Sequence, residues 1–238
     1  NGEDDLLAAV TEVNGKKVHH FGISDREGFE VYATDIESLG LLGSKAVLHT
    51  PEGSCPIEIS LPGIHMVINA TAAALVGRLL GLSLEEIHAG IHNVTPVGGR
   101  SNLIKTKDKL VIDDCYNANP VSMKAAIDLL ATATDRKVAI LGDMFELGEK
   151  EDSLHAEVGA YAVEQGIDAV YCVGTLSKAM YAAALEAYDG SQDVRYFADR
   201  DELMDSLPDL LAPNDTILVK ASHGMGFAKV VEALTKEA

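Results

Sequence analysis

The sequence predicts an α/β protein built in two parts: an α+β unit of antiparallel strands with a helical pair, then a mostly parallel sheet covered on both faces. Three observations predict it. Short β-branched and aromatic runs crowd the first third at near-hairpin spacing. An Ala/Leu-rich tract and a helix-start signature follow them. From about residue 96, five apolar runs alternate with helix-length stretches, the order of strands joined by helical crossovers.

In the first part, KVHHFGI (17–23), FEVYATDI (29–36), SKAVLHT (44–50) and CPIEISL (55–61) read as strands, separated by Gly, Asp, Ser and Pro. An antiparallel meander is the expected arrangement. HMVINATAAALVGRLLG (65–81) reads as a helix closed by Gly81, and Ser83 with Glu86 forms a capping box for a second helix through about Ile91. TPVGGR (95–100) breaks the pattern with Pro96, Gly98 and Gly99. Beyond it LVIDD (110–114) precedes a helix from Pro120, and KVAILG (137–142) precedes one from about Asp152. DAVYCVG (168–174) precedes one through Leu185, and VRYFA (194–198) a short one near 200–211. TILVKAS (216–222) precedes the last, through Leu234. The expected division is 1–97 and 98–238.

Composition narrows the partners. The 238 residues can bury a core without staples. Thirty-seven acids against nineteen bases leave −18, which excludes the broad electropositive surface that nucleic-acid or anionic-membrane binding requires. The three cysteines, Cys55, Cys115 and Cys172, have no CxxC or zinc spacing, so neither a disulfide framework nor a metal site is expected, and a reducing, cytoplasmic setting fits. No apolar run reaches the ~20 residues of a membrane helix, and the first ten residues are acidic where a signal peptide is basic. Opening at Asn1 without an initiator Met, the chain is expected to be a processed or truncated piece.

In a parallel sheet, ligands bind beyond the carboxyl ends of the strands. Three strand-to-helix turns stand out. In IDDCYNANPVSM (112–123), Asn119 is a helix cap and Pro120 a first helical residue, but capping leaves Asp113, Asp114, Tyr116 and Asn117 unexplained at one strand end. A carboxylate there can accept from sugar hydroxyls. In LGDMFELGEKEDSLH (141–155), Asp143, Glu146 and Glu149 alternate with Met144, Phe145 and Leu147. This suits a lid or a wall that grips an ammonium-bearing ligand, but spacing alone favours a solvated loop whose acids favour the next helix N-terminus. VKASHGMGFAKVV (219–231) fails as a dinucleotide fingerprint because Lys229 takes the place of the third Gly, while Ser222 and His223 can cap the helix or touch substrate. His88 and His92 lack the Glu of a zincin motif, and neither a G-x-S-x-G elbow nor a Walker A phosphate cradle occurs in the sequence.

GIHMVINATAAA (63–74), TPVGGR (95–100), IDDCYNANPVSM (112–123), LGDMFELGE (141–149) and VKASHGMG (219–226) occur in the order and spacing of the Mur ligases. YNANP followed by LGDMxELG resembles the MurF branch, which adds D-Ala-D-Ala. The resemblance implies that 1–97 is the C-terminal part of the family's central ATP-binding domain and 98–238 its Rossmann-like C-terminal domain. It implies a cytoplasmic, monomeric ligase of peptidoglycan synthesis, which uses ATP and Mg2+ to activate the carboxylate of UDP-MurNAc-tripeptide as an acyl phosphate. The amine of D-Ala-D-Ala then attacks. Carried over by motif, Asn69, Arg100, Asp114, Tyr116 and Asn117 face ATP. Asn119, Asp143, Met144, Glu146, Leu147, Ser222 and His223 shape the dipeptide or muramoyl-peptide side. The family's P-loop, its special lysine and its magnesium-binding Glu and His would precede Asn1, so this stretch alone is expected to be inactive and to hold no cofactor tightly.

Three positions depart from the family pattern: Met66 replaces an Asn, Cys115 a common Ser, and His223 a frequent Arg, which makes a cationic contact there pH-dependent. Two alternatives stand beside this reading. One is another enzyme of the superfamily, such as the tripeptide-forming Mur ligase or a folylpolyglutamate synthase; the other is a non-catalytic binding module derived from the C-terminal domain.

Overall fold

The computed structural model describes residues 1–25 and 27–236, which fall into two compact units, Asn1–Thr95 and Pro96–Ala238. The first unit opens with the short helix α1 (Asp5–Ala8) and a small hairpin of β1 (Glu12–Val13) and β2 (Lys16–Lys17), turned at Asn14-Gly15, both at positive φ. Its sheet has the order β3 (His20–Gly22), β4 (Phe29–Ser38), β5 (Ser44–Thr50), β6 (Gly53–Ile59). β4, β5 and β6 form the expected antiparallel meander, but β3 runs parallel to β4. The stretch 17–23 is not one strand but is divided between β2 and β3. The start of the loop after β3 is pinned by Glu3, whose Oε1 accepts from the Ile23 N–H at 2.7 Å and the Ser24 hydroxyl at 3.1 Å.

Two helices cover this sheet, α2 (Ile64–Leu79) and α3 (Leu84–His92). α2 stops where Gly81 and Leu82 return their N–H groups to the carbonyls of Arg78 and Gly77, the paired bonds of a Schellman end. α3 starts on the predicted capping box: Ser83 Oγ accepts from the Glu86 N–H, and the Glu86 carboxylate accepts from the Ser83 N–H. Alternate residues of β4, Val31 and Ala33, meet Leu48, Ile57, Val67, Leu75 and Ile87 in a closed core.

The second unit carries a six-stranded sheet in the order β11-β10-β9-β12-β8-β7, comprising β7 (Asn102–Lys105), β8 (Leu110–Asp113), β9 (Lys137–Gly142), β10 (Ala169–Val173), β11 (Asp193–Phe197) and β12 (Thr216–Lys220). The five predicted strands pair in parallel, and β7 adds an antiparallel edge that the sequence reading left out. Helices α4 (Pro120–Ala131), α5 (Glu151–Glu164) and α6 (Ser177–Ala187) cover one face. α7 (Arg200–Leu210) and α8 (Ala228–Thr235) cover the other, where Leu203, Leu207 and Val230 pack on Val138, Ile140, Ile217 and Val219. Burial on both faces is why β9, β10 and β12 read as continuous apolar runs.

Candidate functional site

The carboxyl ends of β8 and β12 lie side by side, and the acids of the first motif meet there. Asp113 is buried and inward-working: Oδ2 accepts from the Gly99 N–H at 2.8 Å, and Oδ1 from the Cys115 thiol at 3.0 Å. Burial, reinforced by that carboxylate, pushes the Cys115 thiol up to about 12, so it stays protonated and is no nucleophile. Asp114 is one residue further out. Its Oδ1 accepts from the Ser101 N–H at 2.8 Å, and its Oδ2 from Lys220 Nζ at 2.6 Å. Lys220, with only 3% of its side chain exposed, also donates to the Asn117 carbonyl at 3.0 Å. The sequence reading missed Lys220, although one signal was present: it is the single charged residue at the end of the otherwise apolar strand TILVK.

Above this pair the structure brings three predicted residues together. The Arg100 guanidinium lies over the Tyr116 ring at 4.1 Å, and the His223 ring stands 5.7 Å from the same ring. All three are exposed, as is Asn117. Asn119 is exposed too, but its Oδ1 accepts from the Ser122 N–H and its own N–H is answered by Ser122 Oγ, so capping accounts for it. Asn69 belongs to α2 of the other unit, where it is exposed and lines an apolar pocket of about 460 Å³ with Met66, Ala70 and Ile87.

The loop after β9 is laced from beneath. Asp143 is 4% exposed, and its Oδ1 accepts both the N–H and the hydroxyl of Ser177 at the start of α6. Ser222 is buried as well; its N–H donates to the Asp143 carbonyl and its Oγ accepts from the Phe145 N–H. Met144 corrects the expectation: it is fully buried, so it supports the loop from the core and presents nothing to a ligand. Its N–H donates to Nε2 of His155, another fully buried residue that the sequence reading passed over. Nδ1–H of His155 in turn donates to the Glu151 carbonyl at 2.7 Å, the neutral tautomer that satisfies both neighbours. Glu146, at φ +64, is exposed and Leu147 half-buried, so the outward face of the loop is carried by these two and Phe145. Beside it, Asp143, Gly174, Thr175, Arg200, Gly224 and Met225 line a pocket of about 360 Å³.

A sequence profile described as the Mur ligase, glutamate ligase domain matches residues 99–223, which hold all of these second-unit positions except Gly224 and Met225. The chain belongs to the Mur ligase family. Among related Mur ligases, the UDP-N-acetylmuramoyl-tripeptide–D-alanyl-D-alanine ligase of Escherichia coli is 39% identical over 81% of this chain and 42% of its own length. The ligase of that name from Mycobacterium tuberculosis is 31% identical over 100% of this chain and 50% of its own. The crystal structure of MurF from Acinetobacter baumannii superposes with a TM-score of 0.79 at 32% identity, covering 92% of this chain and 47% of that one. This chain therefore spans about half the length of the relatives it matches. A MurF structure from Thermotoga maritima, determined in complex with ADP, shares the fold with a TM-score of 0.71.

What a Mur ligase of this sequence can hold follows from its donors. Asp114 keeps unused acceptor lone pairs for a sugar hydroxyl, Tyr116 offers a ring, and Arg100 a cation for phosphate. Among the described residues no group of three or more His, Cys, Asp or Glu could hold a metal ion. Nor is any described helix long and apolar enough to cross a membrane.

Proposed function

We propose that this chain is the nucleotide- and acceptor-facing part of an ATP-dependent ligase that adds D-Ala-D-Ala to UDP-MurNAc-tripeptide in the cytoplasm, acting as a monomer. The observation that carries this reading is the likeness along nearly the whole chain to ligases of that name, in a stretch where the polar groups gather at the strand ends.

In the reaction ATP phosphorylates the tripeptide carboxylate; the dipeptide amine attacks the acyl phosphate, loses a proton, and phosphate leaves. Holding amine and acyl phosphate together makes the attack effectively unimolecular, worth up to ~7–11 kcal/mol of barrier where the geometry is right. On this reading Asp114, steadied by Lys220, accepts from the ribose, and Tyr116 and Asn117 flank the nucleoside. Arg100 leaves the Tyr116 ring to neutralise phosphate charge. Asp143, Glu146, Leu147 and His223 border the dipeptide or the muramoyl peptide, while Asn119, Met144 and Ser222 hold that border in shape. Magnesium, supplied with ATP, would offset phosphate charge.

Calorimetry on this chain tests the reading. D-Ala-D-Ala is expected to bind and ATP to bind weakly or undetectably, because the sequence has no phosphate cradle. Tight ATP binding with no D-Ala-D-Ala binding would contradict it.

A further inference from the structure

The pocket beside the β9 loop has opposite charges on its wall, and their hydrogen bonding shows which of them are available. Asp143 spends Oδ1 on Ser177, while no described group bonds its Oδ2, so a buried carboxylate keeps one oxygen for the pocket. Asp199, also on the wall, caps α7 through its Oδ1, which accepts from the N–H groups of Asp201 and Glu202. The single cation on the wall is Arg200. Its Nε and Nη2 pair with Asp201, which is 79% exposed, and its Nη1 reaches only the long contacts of 3.5 and 3.4 Å to the Met225 and Gly226 carbonyls. A pair with so exposed a partner is weak and exchangeable.

Two glycines keep these groups in place. A Cβ on Gly174 would fall 2.5 Å from the Asp143 carboxylate, and one on Gly226 would fall 2.7 Å from Arg200 Nη1. Gly226 thereby explains part of the G-x-G run that fails as a dinucleotide fingerprint.

We infer that Arg200 reads the free C-terminal carboxylate of the acceptor dipeptide, with the amino end directed to Asp143 Oδ2. The inference rests on the dipeptide reading above and deepens it. A zwitterion of two small residues matches a pocket of about 360 Å³ with a cation and an unspent carboxylate oxygen on its wall. A planar guanidinium offers a carboxylate two parallel N–H groups, which an amide cannot use in the same way.

The test is an NMR titration of the whole chain, wild type, Arg200→Gln and Arg200→Lys, with D-Ala-D-Ala and with its C-terminal amide. Spectra away from the pocket report whether each variant folds. Wild type is expected to bind the acid at least about tenfold more tightly than the amide, the margin of one charge-assisted contact. Arg200→Gln should abolish that preference while leaving amide binding unchanged, and Arg200→Lys should restore part of it. If Arg200→Gln keeps the preference, the assignment of Arg200 is overturned and the dipeptide reading stands. If wild type binds neither ligand, both are overturned.

Discussion

Lys220 Nζ lies 2.6 Å from Asp114 Oδ2 with only 3% of the lysine side chain exposed, and the same ammonium holds the Asn117 carbonyl at 3.0 Å. One buried cation thus fixes both the acid and the backbone of the motif that reads as nucleotide-facing. Lys220→Met leaves Asp114 without its counter-charge and should cost about 3–5 kcal/mol in denaturant unfolding. Lys220→Met with Asp114→Asn should recover much of that loss, and a double-mutant cycle measures the coupling.

His155→Leu should strand the buried Met144 N–H, at about 1–3 kcal/mol for the group left unpaired. Amide exchange at Met144 and Phe145 should accelerate more than exchange in β9, because the histidine ties down the loop and not the strand.

Two helix glycines should respond to alanine with opposite signs. A Cβ at Gly159 of α5 would meet the Met180 carbonyl oxygen at 1.9 Å, so Gly159→Ala must push α5 and α6 apart, costing about 1–3 kcal/mol or more. Gly90 of α3 has open space around its would-be Cβ, and Gly90→Ala should stabilise by about 0.5–1 kcal/mol through helix propensity. Melting temperatures of the two variants check both signs.

In the first unit, Lys17 and then His19 hold the Glu30 carboxyl below its usual 4.5, against burial, which works the other way. Arg78 adds a further contact at 3.3 Å. A depressed carboxyl contributes stability that is fully present above its unfolded value and lost as pH falls below it. Wild type and Glu30→Gln should therefore differ most near neutrality and converge on acidification below the usual 4.5; melts over that range measure the difference.

Local chemistry was legible in the sequence. The Ser83–Glu86 capping box and the Asn119-Pro120 helix start depend on residues within one turn, and both formed as expected. Four of the five parallel strands, β8, β9, β10 and β12, were legible as apolar runs because they are buried on both faces, whereas β11 lies at the sheet edge and exposes Arg195. What was hidden depends on partners far along the chain. Lys220 meets Asp114 across 106 residues, Phe145 meets Ser222 across 77, and Arg200 has its pocket only because β9, β10, β11 and β12 end together. Met144 was misjudged because alternation in a loop does not say which side faces the core. The short β3 and β7 were too brief for their periodicity to report direction or existence.

The central claim is that this chain serves a ligase whose acceptor is D-Ala-D-Ala. Its most direct test is phosphate release by the full-length protein containing this chain, supplied with ATP, magnesium and UDP-MurNAc-tripeptide, against a panel of D-Ala-D-Ala, D-Ala, L-Ala-L-Ala and glutamate. The account predicts release that depends on D-Ala-D-Ala and on UDP-MurNAc-tripeptide together. Release supported equally by glutamate or a single amino acid, or none with D-Ala-D-Ala, would contradict it.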